Sequence, residues 1–505
     1  MEADRGAAPA GSDRPSNVVV VLLDSLNRHL LGCYGGTEFE TPRLDGFAAG
    51  AVRFTNHHTG SLPCIPARHD LLCGAWDFLW KPWGSVELWE SPVTEPLRSA
   101  GVVTKLVSDH PHLFETGGEN YHVGFPAWDY LRGHESDPWR TSPDPSWAGA
   151  PTFGRPHMPY DDSRGWFRDE ADFPGPRTMT AAARWLASEA TDHDRFLLVV
   201  DEFDPHEPDW DTDRDGPHLI WPPYAVGGVE GGTLTPRQGR QLRAQYGAKL
   251  SMIDHWFGEI LDALTRTGRD RDTAVIVCTD HGHYLGEDDI WGKPGTWVRS
   301  TLGHIPLLVR WPGAAPRTCD ALTTTVDLHA TLCDAFGVSA EHRTHGASLV
   351  PLLDGSADSV RDHVLGGVWG REVHLVTDRW RFARAPVDGN GPISMWSNRW
   401  STMPVHADVD GVTWLPLPDE RAALDRMPGA TVPVIRQPFR AGDLLPFWAW
   451  GGFTGDHLVD RVEDPDERID LGPGAAGVDE AIERLRVALR EVDAPGDQFE
   501  RLGLA

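Results

Sequence analysis

Residues 61–74, SLPCIPARHDLLCG, carry a cysteine, a proline and an arginine at two-residue spacing. Pro66 suits the first turn of a helix, which would place Cys64 at the positive N-terminal end of that helix. Arg68 would lie one turn further on, on the same face, as a fixed cation. A thiolate or another anion is stabilised in such a position. We interpret the segment as a nucleophile that faces an anionic group; the alternative is a buried helix start with an incidental cysteine.

Polar side chains that can bind metals or transfer protons follow four short apolar runs. The runs are residues 17–23, 102–107, 196–200 and 273–278, and they lead into Asp24, Ser108-Asp109-His110, DEFDPHEP and Asp280-His281. Buried parallel strands have this β-branched composition, and ligand sites of α/β sheets lie at the carboxyl ends of their strands. The four strand ends therefore predict one common site.

Helical patterns alternate with these runs. We expect helices over Pro42–Ala49, Pro236–Thr267 and residues 326–336, the last two followed by capping glycines. Alternation of strands and helices predicts an α/β fold with a mostly parallel central sheet flanked by helices. Residues 115–235 are expected to be mostly irregular, with one strand among them.

The pattern changes after Gly355, where short strands over residues 364–383 and a terminal helix over residues 478–492 are expected. We therefore divide the chain into a disordered tail over residues 1–16, a catalytic domain over 17–360 and a smaller C-terminal α+β subdomain over 361–505.

Composition excludes several classes of protein. There are 75 acidic and 46 basic residues, a formal charge of −29, which argues against nucleic acid as a partner. The longest aliphatic run, residues 18–23, is far shorter than the roughly 20 residues of a membrane helix. The first 16 residues contain no apolar core like that of a secretory signal, so we expect a cytoplasmic protein without a membrane partner.

The six cysteines form no C-x-x-C pair, so neither a zinc knuckle nor a disulfide framework is indicated.

The motif C-x-P-x-R-x-x-L-x-x-G, matched by Cys64, Pro66, Arg68, Leu71 and Gly74, resembles the signature of the type I sulfatases of the alkaline phosphatase superfamily. The segments TPRLDGFAAGAVRFTNHHT, TDHGHYLGEDDIWGKPGTW, HIPLLVRWPG and VEDPDERIDL resemble family segments and follow in family order. The resemblance covers roughly residues 17–471. It implies an alkaline phosphatase-like fold and the hydrolysis of sulfate esters. Ala67 replaces the usual serine, as in related phosphonate monoester hydrolases.

The resemblance also implies a metal site. In the family the motif cysteine is oxidised to formylglycine by a formylglycine-generating enzyme, which becomes an expected partner during maturation. Asp24, residue 64, Asp280 and His281 would hold one divalent cation. Oxygen ligands favour Ca²⁺, with Mg²⁺ possible, and the imidazole inclines the set towards Mn²⁺ or Zn²⁺. Many sulfatases have two adjacent acids at the first position, whereas this chain has Asp24 followed by Ser25.

Catalytic roles follow from the same resemblance. Hydrated formylglycine at position 64 would attack the sulfur or phosphorus, while Arg68 and Lys293 neutralise the equatorial oxygens. His206 would protonate the leaving oxygen. His110, which lies near the place of a family histidine, would deprotonate the second hydroxyl so that the product is expelled.

Two further enzymatic functions stay open from the sequence. A phosphonate monoester or phosphodiester hydrolase on the same scaffold is favoured by the single acid at Asp24, by His281 and by Ala67. A two-metal phosphatase or phosphodiesterase would need more ligands, which Asp201, Asp204 and His206 could supply. A non-enzymatic protein with an unconverted Cys64 is the remaining alternative. In each enzymatic case the substrate is a small-molecule sulfate, phosphonate or phosphate ester.

Overall fold

The computed structural model describes residues 14–135, 137, 139–140, 152–153, 163, 165–207, 218–219, 222–387, 389–401, 418–449 and 452–505. At its centre lies an eight-stranded sheet in the order β8-β2-β7-β6-β1-β5-β3-β4. In chain order its strands are β1 (Asn17–Leu23), β2 (Val52–Phe54), β3 (Val103–Ser108), β4 (Ala127–Tyr130), β5 (Phe196–Glu202), β6 (Thr273–Cys278), β7 (Leu307–Arg310) and β8 (Arg317–Cys319).

The middle of this sheet is parallel and buried. Strand β1 pairs in parallel with β5 and β6, and β5 with β3, while β7 runs antiparallel between β6 and β2. Every residue of β1 is buried, which explains its uninterrupted apolar run. In the register Leu22 lies opposite both Asp201 and Cys278, so β1, β5 and β6 end at the same edge. The predicted α/β fold with a mostly parallel sheet is confirmed.

Helices cover both faces of the sheet. They are α1 (Pro42–Ala49), α2 (Cys64–Cys73), α3 (Pro174–Ala187), α4 (Pro236–Thr267) and α5 (Thr325–Phe336). One apolar cluster packs α1, α3 and α4 against one face, and a second packs α2 and α5 against the other. Helix α4 begins with a capping box at Thr235 and ends at Gly268 in the left-handed region, as expected. Helix α3 and strand β4 lie, with β5, in the segment that we predicted to be mostly irregular with a single strand, and that part of the prediction is wrong.

A second, five-stranded sheet follows. Its strands β9 (Val364–Val368), β10 (Val373–Val376), β11 (Trp380–Arg384) and β12 (His457–Asp460) pair antiparallel, and the terminal helix α6 (Val478–Glu491) packs beside them. The fifth strand is Ser61–Leu62, which pairs in parallel with β9. This sheet is the additional subdomain expected from the sequence. The boundary near residue 360 stays a prediction.

Two expectations concern the start of the chain and membranes. Of the predicted tail, residues 1–13 lie outside the described residues, whereas Ser16 donates a backbone hydrogen bond to Asp272 beside β1. Among the described residues, no helix is both long and apolar enough to cross a lipid bilayer.

Candidate active site

The proposed nucleophile lies where the sequence places it, at the start of a helix. Helix α2 begins at Cys64 and has Pro66 in its first turn, and Cys64 is only 2% exposed. Asp24, Asp280 and His281 directly follow β1 and β6, so the common sheet edge brings them against the start of α2. The four residues predicted as metal ligands are therefore brought together.

Their donor atoms form a compact, buried group. One donor atom from each of Asp24, Cys64, Asp280 and His281 lies within 4.8 Å of all the others. Cys64 Sγ is 3.3 Å from His281 Nε2 and 4.0 Å from Asp24 Oδ1. His281 Nδ1 is 2.9 Å from the carbonyl of Gly282 and donates to it, which leaves the Nε2 lone pair facing the group.

The charges of this group fit a divalent cation. Burial and the neighbouring Asp280 raise the pKa of Asp24, because two carboxylates in a dry site repel each other. A cation between them would relieve that repulsion. Two carboxylates and one imidazole suit Ca²⁺, Mn²⁺, Mg²⁺ or Zn²⁺. The donor set thus fits the metal that the sequence implies.

The helix start and Arg68 do not by themselves favour a thiolate at Cys64. Burial and the charge of Asp24 raise the pKa of the Cys64 thiol, and Lys293 and Arg68 do not compensate. The sequence indicated the helix terminus, Arg68 and the neighbouring carboxylates, but not the depth of burial. The thiolate form of an unmodified Cys64 is therefore disfavoured by the protein groups around it.

Arg68 is bound by three carboxylates. Its guanidinium nitrogens lie 2.8 Å from Asp24, 2.7 Å from Asp280, and 2.7 and 3.0 Å from the two oxygens of Asp201. The contact with Asp201 is bidentate, which fixes the plane of the guanidinium. Asp201 is a residue that we considered only as a ligand of a second metal. Its signal in the sequence was its position at the end of β5, beside β1.

Ser25 stands where many sulfatases have a second acid. It adopts φ 62°, a left-handed conformation that is costly for a residue with a side chain. Its hydroxyl donates to Asp24 Oδ1 at 2.9 Å and its backbone N–H donates to Asp280 Oδ1 at 3.0 Å. Ser25 therefore orients both proposed ligands, and Asp201 contributes a third carboxylate from another strand.

Lys293 and His206 lie side by side. Lys293 Nζ is 2.6 Å from His206 Nε2 and 3.4 Å from Glu207 Oε1. His206 Nδ1 contacts the backbone carbonyl of Glu207, so Nδ1 carries the ring proton and Nε2 accepts from Lys293. Burial and Lys293 lower the pKa of His206, whereas Glu207 keeps Lys293 cationic against the effect of burial. The mobile proton of this pair thus sits on Lys293, and His206 would pass it on rather than hold it.

His110 reaches the same site from β3. Its Nδ1 accepts a hydrogen bond from the backbone N–H of His112 at 3.2 Å, so Nε2 carries the proton and lies 3.6 Å from Asp24 Oδ2. Burial and Arg68 lower the pKa of His110, which keeps the ring neutral. In this tautomer the Nε2 proton of His110 makes no hydrogen bond to a described group, and His110 would have to lose it before acting as the predicted base.

The residues considered for a second metal are used otherwise. Asp201 pairs with Arg68, and Asp204 Oδ1 lies 2.5 Å from Lys249 and 2.9 Å from His134. Lys249 also donates to the backbone carbonyl of His206 at 2.5 Å, so these contacts fix the loop that carries His206. Nothing in this arrangement favours a two-metal phosphatase.

A cleft of about 500 Å³, including its open mouth, adjoins His281 and Lys293. Its walls are mostly apolar: they include Leu62, Val298, Leu302, Val368 and Trp448. The charged pair Arg371 and Glu372, with 3.3 Å between Nη2 and Oε2, also lines it. Of the tryptophans near the nucleophile in sequence, Trp76, Trp80, Trp83 and Trp89 are buried in the apolar core, and Trp128 is 44% exposed.

Comparison with known proteins decides the family. The sulfatase family model matches residues 16–338. The chain belongs to the sulfatase family. This sulfatase is 28% identical over 383 residues to choline-sulfatase of Rhizobium meliloti, covering 67% of the chain and 72% of that protein. It is 24% identical over 385 residues to bovine arylsulfatase K, covering 69% and 67%.

Solved structures confirm the fold. Phosphonate monoester hydrolase of Agrobacterium radiobacter superimposes with a TM-score of 0.62 at 18% identity, covering 95% of both chains. A 2-O glycosaminoglycan sulfatase superimposes with a TM-score of 0.61 at 16% identity, covering 95% of this sulfatase and 93% of that chain. The alkaline phosphatase-like fold expected from the motifs is therefore confirmed. The family match makes this sulfatase a hydrolase and supports sulfate esters as its substrates.

Proposed function

We propose that the protein hydrolyses small-molecule sulfate esters with a formylglycine made from Cys64 and one divalent cation held by Asp24, residue 64, Asp280 and His281. The main support for this proposal is that these four donors lie together at the N-terminus of α2, beside Arg68 and Lys293. Asp24, Asp280 and His281 would hold the cation, and hydrated formylglycine beside it would supply an activated hydroxyl as the nucleophile. A formylglycine-generating enzyme is the partner this requires, and the cytoplasmic location expected from the sequence stays a prediction.

The other residues bind and orient the substrate. Arg68, held by three carboxylates, and Lys293, held by Glu207, offer two fixed cations to the oxygens of the transferred group. Lys293 and His206 together hold the proton that the leaving oxygen needs, with Nε2 of His206 as the relay atom. His110 Nε2 lies 3.6 Å from Asp24 Oδ2, beyond hydrogen-bond distance, and we propose that it acts as the base that deprotonates the second hydroxyl. Burial of the whole group excludes water and strengthens each of these contacts.

A phosphonate or phosphodiester hydrolase is the second candidate function, favoured by the single acid before Ser25 and by His281. Asp201 does not decide between the two candidates, although it adds a third carboxylate to the site through Arg68. An additional negative charge disfavours doubly charged phosphate monoesters, whereas phosphonate monoesters and phosphodiesters carry a single charge, as sulfate esters do. We place sulfate first because the matching family model is that of the sulfatases.

The apolar cleft beside Lys293 favours an apolar or aromatic organic group on the substrate. Its aliphatic walls and Trp448 provide apolar contact area for such a group. Arg371 is already paired with Glu372, so this pair does not favour a charged substituent on the substrate. We expect aryl sulfates to be turned over with a lower KM than sulfated sugars of similar size.

The decisive experiment combines mass spectrometry with turnover. We expect the peptide containing residue 64 to carry the mass of formylglycine, an aldehyde-reactive probe to label it, and the protein to hydrolyse an aryl sulfate faster than an aryl phosphonate. Cys64→Ala should abolish labelling and turnover with the fold intact. Cys333→Ala, which alters another buried cysteine outside the site, is the matched control. Full activity of Cys64→Ala would refute the assignment, and faster phosphonate hydrolysis would reverse the order of the two functions.

A further inference from the structure

A second group of metal-capable side chains lies along the same helix as Cys64. His69 and Cys73 are one turn apart on α2, and their donor atoms lie within 4.8 Å of each other and of a carboxylate oxygen of Glu90. His69 Nε2 is 2.8 Å from Glu90 Oε1 and 3.4 Å from Asp77 Oδ2. All four side chains are buried, with exposures from 0% to 6%. The group is separate from the active site, to which none of the four contributes.

Asp77 supplies an independent sign that a ligand is missing. Its Oδ1 accepts a hydrogen bond from Arg343 at 3.1 Å, whereas no described group donates a hydrogen bond to Oδ2. A buried carboxylate oxygen without a donor is costly. This oxygen lies 3.4 Å from His69 Nε2, at the edge of the group formed by His69, Cys73 and Glu90.

We infer that His69, Cys73, Asp77 and Glu90 bind one divalent transition-metal ion, with Zn²⁺ the best match. One nitrogen, one sulfur and one carboxylate oxygen already lie within 4.8 Å of one another, and Asp77 would supply the fourth donor of a tetrahedral structural zinc site by moving towards them. Thiolate and imidazole together select Zn²⁺ over Ca²⁺ or Mg²⁺, which prefer oxygen alone. The sequence lacked a C-x-x-C signal because only one of the ligands is a cysteine.

The charges around the group allow such an ion. Glu87 is 3.2 Å from Lys81, Lys81 is 3.8 Å from Glu90, and Arg343 faces Asp77. Binding uses Cys73 as a thiolate and His69 as a neutral ring. One M²⁺ therefore enters as up to two protons leave, and the buried charge does not rise. The ion would fasten α2, which carries Cys64 and Arg68, to the segment that follows it.

The test uses the full-length protein in a Cys64→Ala background, which removes the only thiol of the active-site group. After chelation, Co²⁺ is added as the probe. We expect one thiolate-to-cobalt charge-transfer band, displaced by Zn²⁺, and a higher melting temperature with Zn²⁺ than with chelator. In Cys64→Ala/Cys73→Ser the band and the zinc-dependent shift should disappear, whereas Cys64→Ala/Cys333→Ser should keep both.

Three results would overturn the inference. The first is the absence of a thiolate-to-cobalt band in folded Cys64→Ala protein, and the second is a band that persists when Cys73 is replaced. The third is that purified wild-type protein contains no zinc and takes none up when zinc is added. The first and third results would show that the group is an imidazolium–carboxylate ion-pair network, and the second would place the thiolate ligand at another cysteine. If Cys64→Ala/Cys73→Ser fails to fold, His69→Gln serves as the second variant, with loss of the band as the expected result. Because Cys64 is absent from these proteins, the outcome does not depend on the proposed sulfate-ester hydrolysis.

Discussion

Replacing Asp201 by asparagine tests how the site sets its charge. The change removes one carboxylate that holds Arg68 with two contacts of 2.7 and 3.0 Å, while Asp24 and Asp280 remain bound to Arg68. Breaking one partner of a buried ion pair costs about 3 kcal/mol of stability. For a separation of about 8 Å across Arg68 and an effective dielectric constant of about 20, the charge of Asp201 would be worth about 2 kcal/mol for each charge on the transferred group.

The assay compares an aryl sulfate with an aryl phosphate of the same leaving group. A phosphate monoester carries nearly one more negative charge, so Asp201→Asn should shift the ratio of the two kcat/KM values towards phosphate by about 30-fold. Glu202→Gln is the matched control, because Glu202 is the next buried acid on β5 and does not contact Arg68. Burial and Asp204 raise the pKa of Glu202, which disfavours its charged form. An unchanged ratio in folded, metal-loaded Asp201→Asn protein would refute the charge argument.

Two further predictions follow from buried ion pairs. Lys293→Met should lower kcat/KM by about 100-fold or more, because one fixed cation is lost. The same change should raise the pKa of His206 in NMR titrations, because Lys293 opposes the protonation of His206. An unaltered titration of His206 would contradict the proposed relay. Burial lowers the pKa of His112, but Glu135 and Glu115 outweigh it and raise the value from 6.5 to about 10. The stability that this pair contributes is complete below pH 6.5 and is lost as the pH rises to about 10, at up to about 1.4 kcal/mol per pH unit. Urea unfolding across this range should show a smaller decline for His112→Gln than for wild type, and equal declines would disprove the assignment.

The sheet and its strand ends could be predicted from the sequence. Runs such as residues 17–23 and 273–278 are apolar throughout because both faces of a central parallel strand are buried, and Asp24 and Asp280 stand out where the runs stop. Because these strands are parallel and end at the same edge of the sheet, the proximity of Asp24 and Asp280 can be predicted without knowing the loop conformations. The place of Cys64 at a helix start followed from Pro66 in the same way.

Long-range pairing could not be predicted. Strand β5 continues two residues beyond its apolar run, to Glu202, because Asp201 is neutralised by Arg68, which lies 133 positions away. The depth at which Cys64 is buried could not be predicted either, and burial is the main cause that raises the pKa of its thiol. Helix α3 was missed because it begins Pro-Gly-Pro, a sequence typical of turns, although proline is also common in the first turn of a helix.

The short strand Ser61–Leu62 ties the reacting residue to the distal half of the polypeptide. Leu62, which is only two positions before Cys64, lies opposite Val368. The family match ends at residue 338, well before this partner strand. If the distal half were exchanged for that of a related protein, or lost through a nonsense mutation after residue 340, the gene would still encode every candidate ligand. The strand Ser61–Leu62, which leads into position 64, would however lose the strand with which it pairs. Selection on turnover must therefore act on more of the gene than the matched region.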